Sequence, residues 1–327
     1  MPHSTTEQEQ TVNTSKSHGD WRDDLFRDGY VVVKNAIPEQ RCQYYIDQMF
    51  KWLEKFPFGF KRDDRSTWTP ERLPTHMKGG MYHGYRVQHE RFMWEARQEP
   101  KVLQAFARLW GTDELLASFD GMNFTLPSGT QLPPTEPWPH IDQSPRRKGL
   151  QCVQGILNFA PNGIDDGGLL VMKGSHNLMQ EFFKIHPDVM DRPTWGPDDW
   201  FGFSQDELNW FEERGCEILK VCADPGDLIL WDSRTMHFNQ VPKSQNLRAI
   251  IYACYTPASF ASSQDLKTKA ELFDQRAGTT HWPHANLHPN VEKKLRLGKE
   301  DSAERDRPFE EPEESEIVLK LAGKLAY

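Results

Sequence analysis

Pairs of the form His-x-Asp are the residues in this sequence best suited to hold a metal ion. The sequence contains three of them, and they are His18/Asp20, His140/Asp142 and His186/Asp188. Two histidines and one carboxylate form a facial triad that binds Fe(II) and leaves other coordination positions open. A His-x-Asp pair supplies two of these ligands because alternate residues of a strand point to the same side. Composition alone predicts about two such histidine–acid pairs by chance, so their surroundings have to separate them.

The sequence around each pair favours the second one. The first pair lies in a polar N-terminal stretch, and the third is divided by Pro187 in a region rich in loop residues. His140 and Asp142 come just before residues 149–159, an apolar run that predicts a strand. We therefore expect this pair to lie at the rim of a β structure, where a metal site can form.

A third ligand and a cation follow later in the chain. His237 comes after residues 227–231, which predict a buried strand entered by a Pro-Gly-Asp turn, and Arg248 opens the next predicted strand. An arginine beside an iron site would bind a dicarboxylate cosubstrate through charge-assisted hydrogen bonds. Taken singly, His237 would be a core histidine and Arg248 a surface cation. Together with His140 and Asp142, they form one consistent site.

Two helices and a set of strands are predicted to position these residues. Apolar residues recur at helical spacing after Pro38, and a second helix follows Pro100 and ends before Gly111. From about residue 115 the pattern changes to short apolar runs separated by turn signals. The predicted strands cover residues 115–126, 149–159, 168–172, 216–222, 227–231 and 248–255. Many short strands of this kind are typical of a sandwich or barrel.

The chain is predicted to contain one folded domain between two polar ends. We expect a disordered tail over 1–18, a single domain over 19–290 and a charged, solvated C-terminal segment over 291–327. Within the domain, the β core is expected at about 115–260, with an insertion at about 176–215.

Charge and composition exclude several classes of partner. There are 39 Lys and Arg residues against 48 Asp and Glu, which gives a net charge of −9. A net acidic chain lacks the positive surface that nucleic acids and anionic membranes require, and no apolar run is long enough to span a bilayer. The N-terminus has no apolar leader, and five scattered cysteines are expected to be free thiols. These features predict a cytoplasmic protein, and they leave a homodimer open.

The motifs together resemble the phytanoyl-CoA dioxygenase (PhyH) family of Fe(II)/2-oxoglutarate-dependent oxygenases. The matching stretches are residues 28–33, 140–142, 168–176, 225–237 and Arg248, spread over about 21–260. The resemblance implies a mainly β fold with flanking helices, built on a double-stranded β-helix (jelly-roll, cupin-like) core. It also implies His140, Asp142 and His237 as iron ligands. The implied contacts of the 2-oxoglutarate cosubstrate are Arg248, Asn158 and Asn239.

The resemblance implies an enzyme that uses Fe(II), 2-oxoglutarate and O2 to oxidise an unactivated C–H bond of a small molecule. The outcome would be hydroxylation, desaturation or ring formation, with release of succinate and CO2. Because related halogenases lack the carboxylate ligand, Asp142 argues against halogenation. The competing hypothesis is a cupin-like protein that binds a metal without redox chemistry, as an isomerase or a binding module. Such a protein would have no use for a dicarboxylate anchor at Arg248.

The substrate is expected to be a small molecule of secondary metabolism. The chain does not end in a peroxisomal signal and has no basic cluster for CoA phosphates. Residues 81–89 are dense in aromatic and polar side chains, and we expect Tyr82, Arg86 and His89 to contact the substrate. Other histidines are expected to be structural or to lie in loops, and these are His176 and the group His281, His284 and His288.

Overall fold

The computed structural model describes residues 14, 16–127, 137–192, 199–289 and 295–327. The helices in this part of the chain are α1 (Trp21–Asp28), α2 (Glu39–Glu54), α3 (Arg91–Arg97), α4 (Pro100–Trp110), α5 (Met179–Ile185), α6 (Gln205–Glu212), α7 (Ser263–Asp274) and α8 (Glu316–Leu321). None of them has the length and apolar character that crossing a bilayer requires.

Short antiparallel strands form the centre of the molecule. In chain order they are β1 (Tyr30–Val33), β2 (Met81–Tyr82), β3 (Leu115–Ala117), β4 (Met122–Thr125), β5 (His140–Ile141), β6 (Val153–Asn158), β7 (Gly168–Lys173), β8 (Phe201–Gly202), β9 (Glu217–Lys220), β10 (Leu228–Asp232), β11 (His237–Gln240), β12 (Arg248–Tyr252), β13 (Tyr255–Pro257), β14 (Leu295–Arg296) and β15 (Lys299–Glu300).

Two sheets pack face to face and build the core. The larger has the order β1-β10-β6-β12-β4-β2, and the smaller has the order β8-β5-β11-β7-β9. Apolar side chains from both sheets meet between them, among them Ile156, Ile229 and Ile250 from the larger sheet and Leu169 and Val171 from the smaller. Because side chains alternate along a strand, every second residue of β6, β10 and β12 faces this interior.

Most of the helices pack with the larger sheet, whereas α5 and α6 pack with the smaller one. Helix α2 buries an apolar stripe against the larger sheet that includes Tyr45, Met49 and Leu53. Helix α4 begins at Pro100 and ends at Gly111, whose φ of 73° lies in the left-handed region. Glycine reaches that conformation at little cost, and it therefore ends the helix where the sequence predicts. The expectation of a mainly β fold with flanking helices is confirmed.

Two regions differ in detail from the sequence expectation. The predicted insertion contributes β8 to the smaller sheet, where Gly202 pairs with His140. The C-terminal segment is charged but not simply solvated, because α8 buries Val318 and Leu321 in the main core. Its apolar residues are too few to form a clear pattern, and for that reason the segment reads as a polar tail. Most of the predicted N-terminal tail lies outside the described residues.

Candidate metal centre and cosubstrate cavity

Strand pairing brings the candidate ligands together. β5 and β11 are antiparallel neighbours, and His140 and His237 are direct partners across them. Asp142 follows β5, and its backbone N–H donates to the Ser233 carbonyl at 2.9 Å. One ligand atom from each of His140, Asp142 and His237 lies within 4.8 Å of the other two. The pair and the third ligand predicted from the sequence therefore share one site.

The hydrogen bonds of the two histidines fix which ring nitrogen can bind a metal. His140 Nδ1 lies 3.1 Å from the Trp138 carbonyl, and His237 Nδ1 lies 2.9 Å from the Thr235 carbonyl. A carbonyl can only accept, so each Nδ1 carries the proton and each Nε2 has a free lone pair. A backbone carbonyl on the far nitrogen is the usual arrangement for a metal-binding histidine.

The distances between the ligand atoms suit a metal ion. Asp142 Oδ2 lies 3.1 Å from His237 Nε2, and Asp142 Oδ1 lies 3.7 Å from His140 Nε2. Ligand atoms at about 2.1 Å from a metal and at right angles to each other are about 3 Å apart. The three side chains thus lie close enough to occupy one face of an octahedron together, and they would leave the opposite face for other ligands.

Neighbouring groups and burial favour the protonation states of Asp142 and His140 that bind a metal. Burial by itself would raise the pKa of Asp142, but its interactions with His140, His281 and His237 hold it well below its usual range. Burial lowers the pKa of His140 to about 3, and the neighbouring His237 adds to the effect. Asp142 is therefore ionised and His140 neutral at neutral pH. Gln154 Nε2 also donates to Asp142 Oδ2 at 2.8 Å and orients the carboxylate.

A cavity of about 310 Å³ lies beside the metal centre. Trp138 and Asn239, each two residues from a histidine ligand, both line it, and Arg248 enters it from β12. Arg248 is 8% exposed, and its Nε is buried without a hydrogen-bond partner among the described residues. A buried guanidinium N–H without an acceptor is costly, and a carboxylate is its natural partner. The residues fit a dicarboxylate held between the triad and Arg248.

A comparison with known proteins decides the family. A family model described as phytanoyl-CoA dioxygenase (PhyH) matches residues 25–249, which is more than half of the chain. The chain belongs to the phytanoyl-CoA dioxygenase family. With the His-Asp-His cluster in place, the expected enzyme class and cofactors are confirmed: the protein is an Fe(II)- and 2-oxoglutarate-dependent oxygenase.

A curated relative and two solved structures are similar to this chain. "Ava biosynthesis cluster protein O" from Aspergillus versicolor is 46% identical over 83% of this chain and 88% of its own length. EctD from S. alaskensis, solved with bound Fe, has a TM-score of 0.51 at 16% identity and covers 77% of this chain and 80% of its own. The product of GlcNAc Inducible Gene 2 from Candida albicans has a TM-score of 0.59 at 12% identity, and the match covers 97% of this chain and 77% of its own. The fold neighbours support the expected jelly-roll core.

Two tryptophans form an aromatic wall at the metal centre of this phytanoyl-CoA dioxygenase family member. Trp138 stacks on His140 with ring centroids 4.4 Å apart and an interplanar angle of 10°. Trp200 lies 5.8 Å from the same ring at 28°. Both tryptophans are half-buried, so each can contact His140 and a bound molecule together.

Lys78 is a cavity residue that the sequence analysis missed. It lines the same cavity as Arg248, and its Nζ lies 3.1 Å from the centroid of the Trp138 ring. Desolvation of the ammonium group lowers the pKa of Lys78 to about 8, against the opposing charge of Asp142, although the residue as a whole remains exposed. No local pattern marks this lysine, because a loop brings it to the cavity.

The two asparagines expected to contact the cosubstrate lie in different surroundings. Asn239 lines the cavity, as a cosubstrate contact requires. The side-chain nitrogen of Asn158 instead donates to two backbone carbonyls, that of Ala160 at 2.8 Å and that of Asp224 at 2.9 Å. It thereby fastens the turn that enters β10. A cosubstrate role for Asn158 stays a prediction that these contacts do not support.

The three residues expected to contact the substrate lie outside the cavity lining. Tyr82 and His89 are both 0% exposed, and His89 packs among aromatic rings with Nε2 3.0 Å from the Ala277 carbonyl. Arg86 donates from Nε to the Arg305 carbonyl at 3.1 Å. A stretch rich in aromatic rings and polar groups predicts a pocket, but a well-packed core has the same composition. Substrate contact stays a prediction for them.

The remaining histidines lie in structural contacts or in loops, as the sequence predicts, and one of them also lies near the metal centre. His176 Nε2 lies 3.0 Å from the Phe26 carbonyl, and His284 Nδ1 lies 3.0 Å from Thr256 Oγ1. His186 Nδ1 lies 3.1 Å from the Phe182 carbonyl. His281 is close enough to Asp142 to influence its pKa, so the loop that carries it borders the metal centre.

Proposed function

We propose that the protein oxidises an unactivated C–H bond of a small organic molecule and converts 2-oxoglutarate to succinate and CO2. The observation that carries this proposal is Arg248. Its Nε is buried without a hydrogen-bond partner among the described residues, and Arg248 lines a cavity together with Trp138, which stacks on His140 of the metal cluster. A metal-binding protein without redox chemistry would have no need of a buried anchor for a dicarboxylate.

Each residue of the site has a distinct proposed role. His140, Asp142 and His237 would hold Fe(II) on one face, which leaves the opposite face for the cosubstrate and O2. When bound, the iron supplies oxygen activation and the coupled decarboxylation of 2-oxoglutarate. Arg248 would hold the distal carboxylate, with Asn239 and Lys78 as further polar contacts on the same molecule.

The aromatic wall would orient the substrate and exclude water. Trp138 and Trp200 present half-buried ring faces next to His140, and such faces bind apolar or planar groups. The identity of 46% to a protein named for a biosynthesis cluster supports a substrate of secondary metabolism. Because Asp142 fills the position that chloride would take in a halogenase, hydroxylation, desaturation or ring formation is the proposed outcome. A cytoplasmic location and a homodimer stay predictions.

An anaerobic titration tests the proposal. The apoprotein would receive Fe(II) and then 2-oxoglutarate, and the weak visible charge-transfer band of the chelate would be recorded. We expect a band in wild type, no band in His237→Ala and a much weaker one in Arg248→Ala. Controls are His186→Ala and Arg62→Ala, whose side chains lie in other contacts. Bound metal without any band in wild type would favour the non-redox alternative.

A further inference from the structure

Asp199 joins three segments of the chain that border the metal centre. Its carboxylate accepts the Ser144 N–H at 3.1 Å and Arg147 Nε–H at 2.7 Å, and both donors lie in the loop after Asp142. It also accepts Asn286 Nδ2–H at 2.7 Å, from the loop that follows α7. Asp199 itself lies in the predicted insertion, just before β8, and is 6% exposed. One buried carboxylate therefore connects three loops that are far apart in the sequence.

The charge of this carboxylate is balanced inside the protein. A buried charge is tolerated only with an opposite charge and hydrogen bonds, and Arg147 supplies both to Asp199. The guanidinium carbon of Arg147 also lies 4.5 Å from the centroid of the Trp282 ring. Trp282 is fully buried and packs in a cluster with Cys152, which precedes β6. The ion pair is thus anchored on a core side chain, which gives the three loops one defined arrangement.

The backbone of Asp199 is strained. Its φ is 61°, in the left-handed region, which residues other than glycine adopt at a cost. Such strain persists where the surrounding structure fixes the residue, and the three hydrogen bonds of the carboxylate do so here. The chain continues directly into Trp200, whose ring lies 5.8 Å from the ring of His140. The strained residue therefore precedes one half of the aromatic wall.

Gly202 provides the space that the Trp200 ring occupies. Gly202 is the direct strand partner of His140. A Cβ atom on Gly202 would lie 2.6 Å from the Trp200 ring, which is too close for two carbon atoms. The indole therefore lies against the backbone of β8, beside the metal ligand. Gly202 leaves room for this position, and Asp199 fixes the chain on the other side of Trp200.

We propose that Asp199 is a positioning residue that holds Trp200 at the metal centre. The inference rests on the proposed function, in which Trp200 belongs to the wall that orients the substrate. Asp199 would act through Trp200 and not through the metal ligands. Asp142 is held separately, by the Ser233 carbonyl and by Gln154. The Asp199 carboxylate would thus determine which substrates fit against the wall, without contact to the substrate itself.

Fluorine NMR of protein that contains 5-fluorotryptophan tests this inference. The Trp200 resonance is identified by its loss in Trp200→Phe, and the Trp138 resonance by its loss in Trp138→Phe. Co(II) and Zn(II) both bind imidazole and carboxylate ligands. Paramagnetic Co(II) broadens the resonances of nuclei close to it, and the diamagnetic Zn(II) form is the reference. In wild type we expect Co(II) to broaden both resonances, because both rings lie next to His140.

The decisive variant is Asp199→Gly, which removes the carboxylate and still allows a positive φ. We expect Co(II) to broaden the Trp138 resonance as in wild type and to lose most of its effect on the Trp200 resonance. The Kd values for Fe(II) and 2-oxoglutarate should not change. The matched control is Glu207→Ala, which removes another buried carboxylate of the insertion, the partner of Arg192. It should leave both resonances as they are in wild type.

The possible outcomes separate this inference from the proposed function. Equal broadening of the Trp200 resonance in wild type and Asp199→Gly would overturn the inference and leave the proposed function intact. A raised Kd for Fe(II) in Asp199→Gly would also overturn it, because Asp199 would then act on the ligands themselves. If Co(II) broadens neither resonance in wild type, the metal binds elsewhere and both proposals are wrong.

A second variant covers the case in which Asp199→Gly does not fold. Asn286→Ala keeps Asp199 and removes one of its three hydrogen-bond donors. We expect Co(II) to broaden the Trp200 resonance less in this variant than in wild type, with the Trp138 resonance unchanged. Broadening of the Trp200 resonance equal to that in wild type would then overturn the inference.

Discussion

His140 and His237 are direct partners across two antiparallel strands, although they are 97 positions apart in the chain. β5, which carries His140, is only two residues long and lies between β11 and β8. A strand this short forms few backbone hydrogen bonds of its own, so its position depends mostly on the strands beside it. A metal ion bound to both histidines and to Asp142 would join β5 firmly to β11.

Metal binding should therefore stabilise the fold. At a free Fe(II) concentration of 100 times the Kd, linkage contributes about 2.7 kcal/mol, which for a protein of this size raises Tm by roughly 5 °C. Anaerobic thermal denaturation with and without Fe(II) measures the effect, and a chelator should reverse it. Asp142→Ala should lose the shift. An equal rise in that variant would place the stabilising metal elsewhere.

Gln154 should tune the affinity of the metal site. Its side chain donates to Asp142 at 2.8 Å, and the loss of such an outer contact typically weakens metal binding about 10- to 100-fold. Gln154→Leu should raise the Kd for Fe(II) by that factor in an anaerobic titration. Gln98→Leu, which removes a contact with the Trp94 carbonyl, is the matched control. Unchanged affinity in Gln154→Leu would show that the contact does not hold the carboxylate.

Gly168 should be required for cosubstrate binding. Its φ is +141°, and a Cβ there would lie 3.2 Å from Asn162 Nδ2 and 3.4 Å from Arg248 Nε. Gly168→Ala should therefore strain the backbone, at a cost of about 1–3 kcal/mol, and raise the KM for 2-oxoglutarate by displacing Arg248. Gly298→Ala has a similar backbone problem at φ +79° with nothing nearby, and it should lower Tm without changing KM. Equal KM values in both variants would contradict the crowding argument.

Asn158 offers a choice between a structural and a cosubstrate role. Its side-chain nitrogen donates to the Ala160 and Asp224 carbonyls, and each buried carbonyl left without a partner costs about 1–3 kcal/mol. We expect Asn158→Ala to lower the free energy of unfolding by that order, while the KM for 2-oxoglutarate stays the same. Chemical denaturation measures the free energy of unfolding, and steady-state kinetics measures the KM. A raised KM at unchanged stability would instead support the role that the family resemblance implies.

Stability should fall as pH rises because of Glu90. Its carboxylate is 2% exposed and accepts the Phe309 and Glu310 N–H groups, yet burial raises its pKa to about 7. Between about pH 4.5 and 7 the folded state holds a proton that the unfolded state releases. The stabilisation from this proton is therefore fully present below about pH 4.5 and is lost as the pH rises to about 7. Its size is about 3 kcal/mol.

Denaturation at several pH values measures this dependence. In Glu90→Gln the loss of stability between about pH 4.5 and 7 should be smaller than in wild type, because the carboxyl group no longer titrates. Glu313→Gln, on an exposed residue, should keep the wild-type dependence. Parallel curves for wild type and Glu90→Gln would show that another group is responsible.

The metal ligands could be predicted from the sequence because each stands in a strong local pattern. His140 and Asp142 precede a predicted strand, and His237 follows one, so strand order alone placed them at one rim. Gln154 had a signal that was not used: a polar residue on the inner face of an apolar strand needs a polar partner. Lys78 had no such signal, because only the tertiary course of its loop brings it to the cavity.

Composition is a poor guide to function where a pocket and a core contain the same kinds of residue. Tyr82 and His89 belong to a stretch of aromatic and polar residues, and the structure buries them away from the cavity lining. Which side of a sheet such a stretch covers depends on contacts with distant helices. The charged C-terminal segment differs from the sequence expectation for a related reason, since Val318 and Leu321, which it buries in the core, lie in one short helix.

The buried side chains of α8 set a practical limit on how the protein can be shortened. All the proposed ligands and Arg248 precede residue 250, so a truncated form ending near residue 260 would retain every one of them. It would nevertheless expose the core surface that Val318 and Leu321 now cover, and Tyr327 would no longer donate to the Leu115 carbonyl. An inactive truncated protein would therefore report a damaged scaffold, and recombinant work on catalysis needs the C-terminal residues in place.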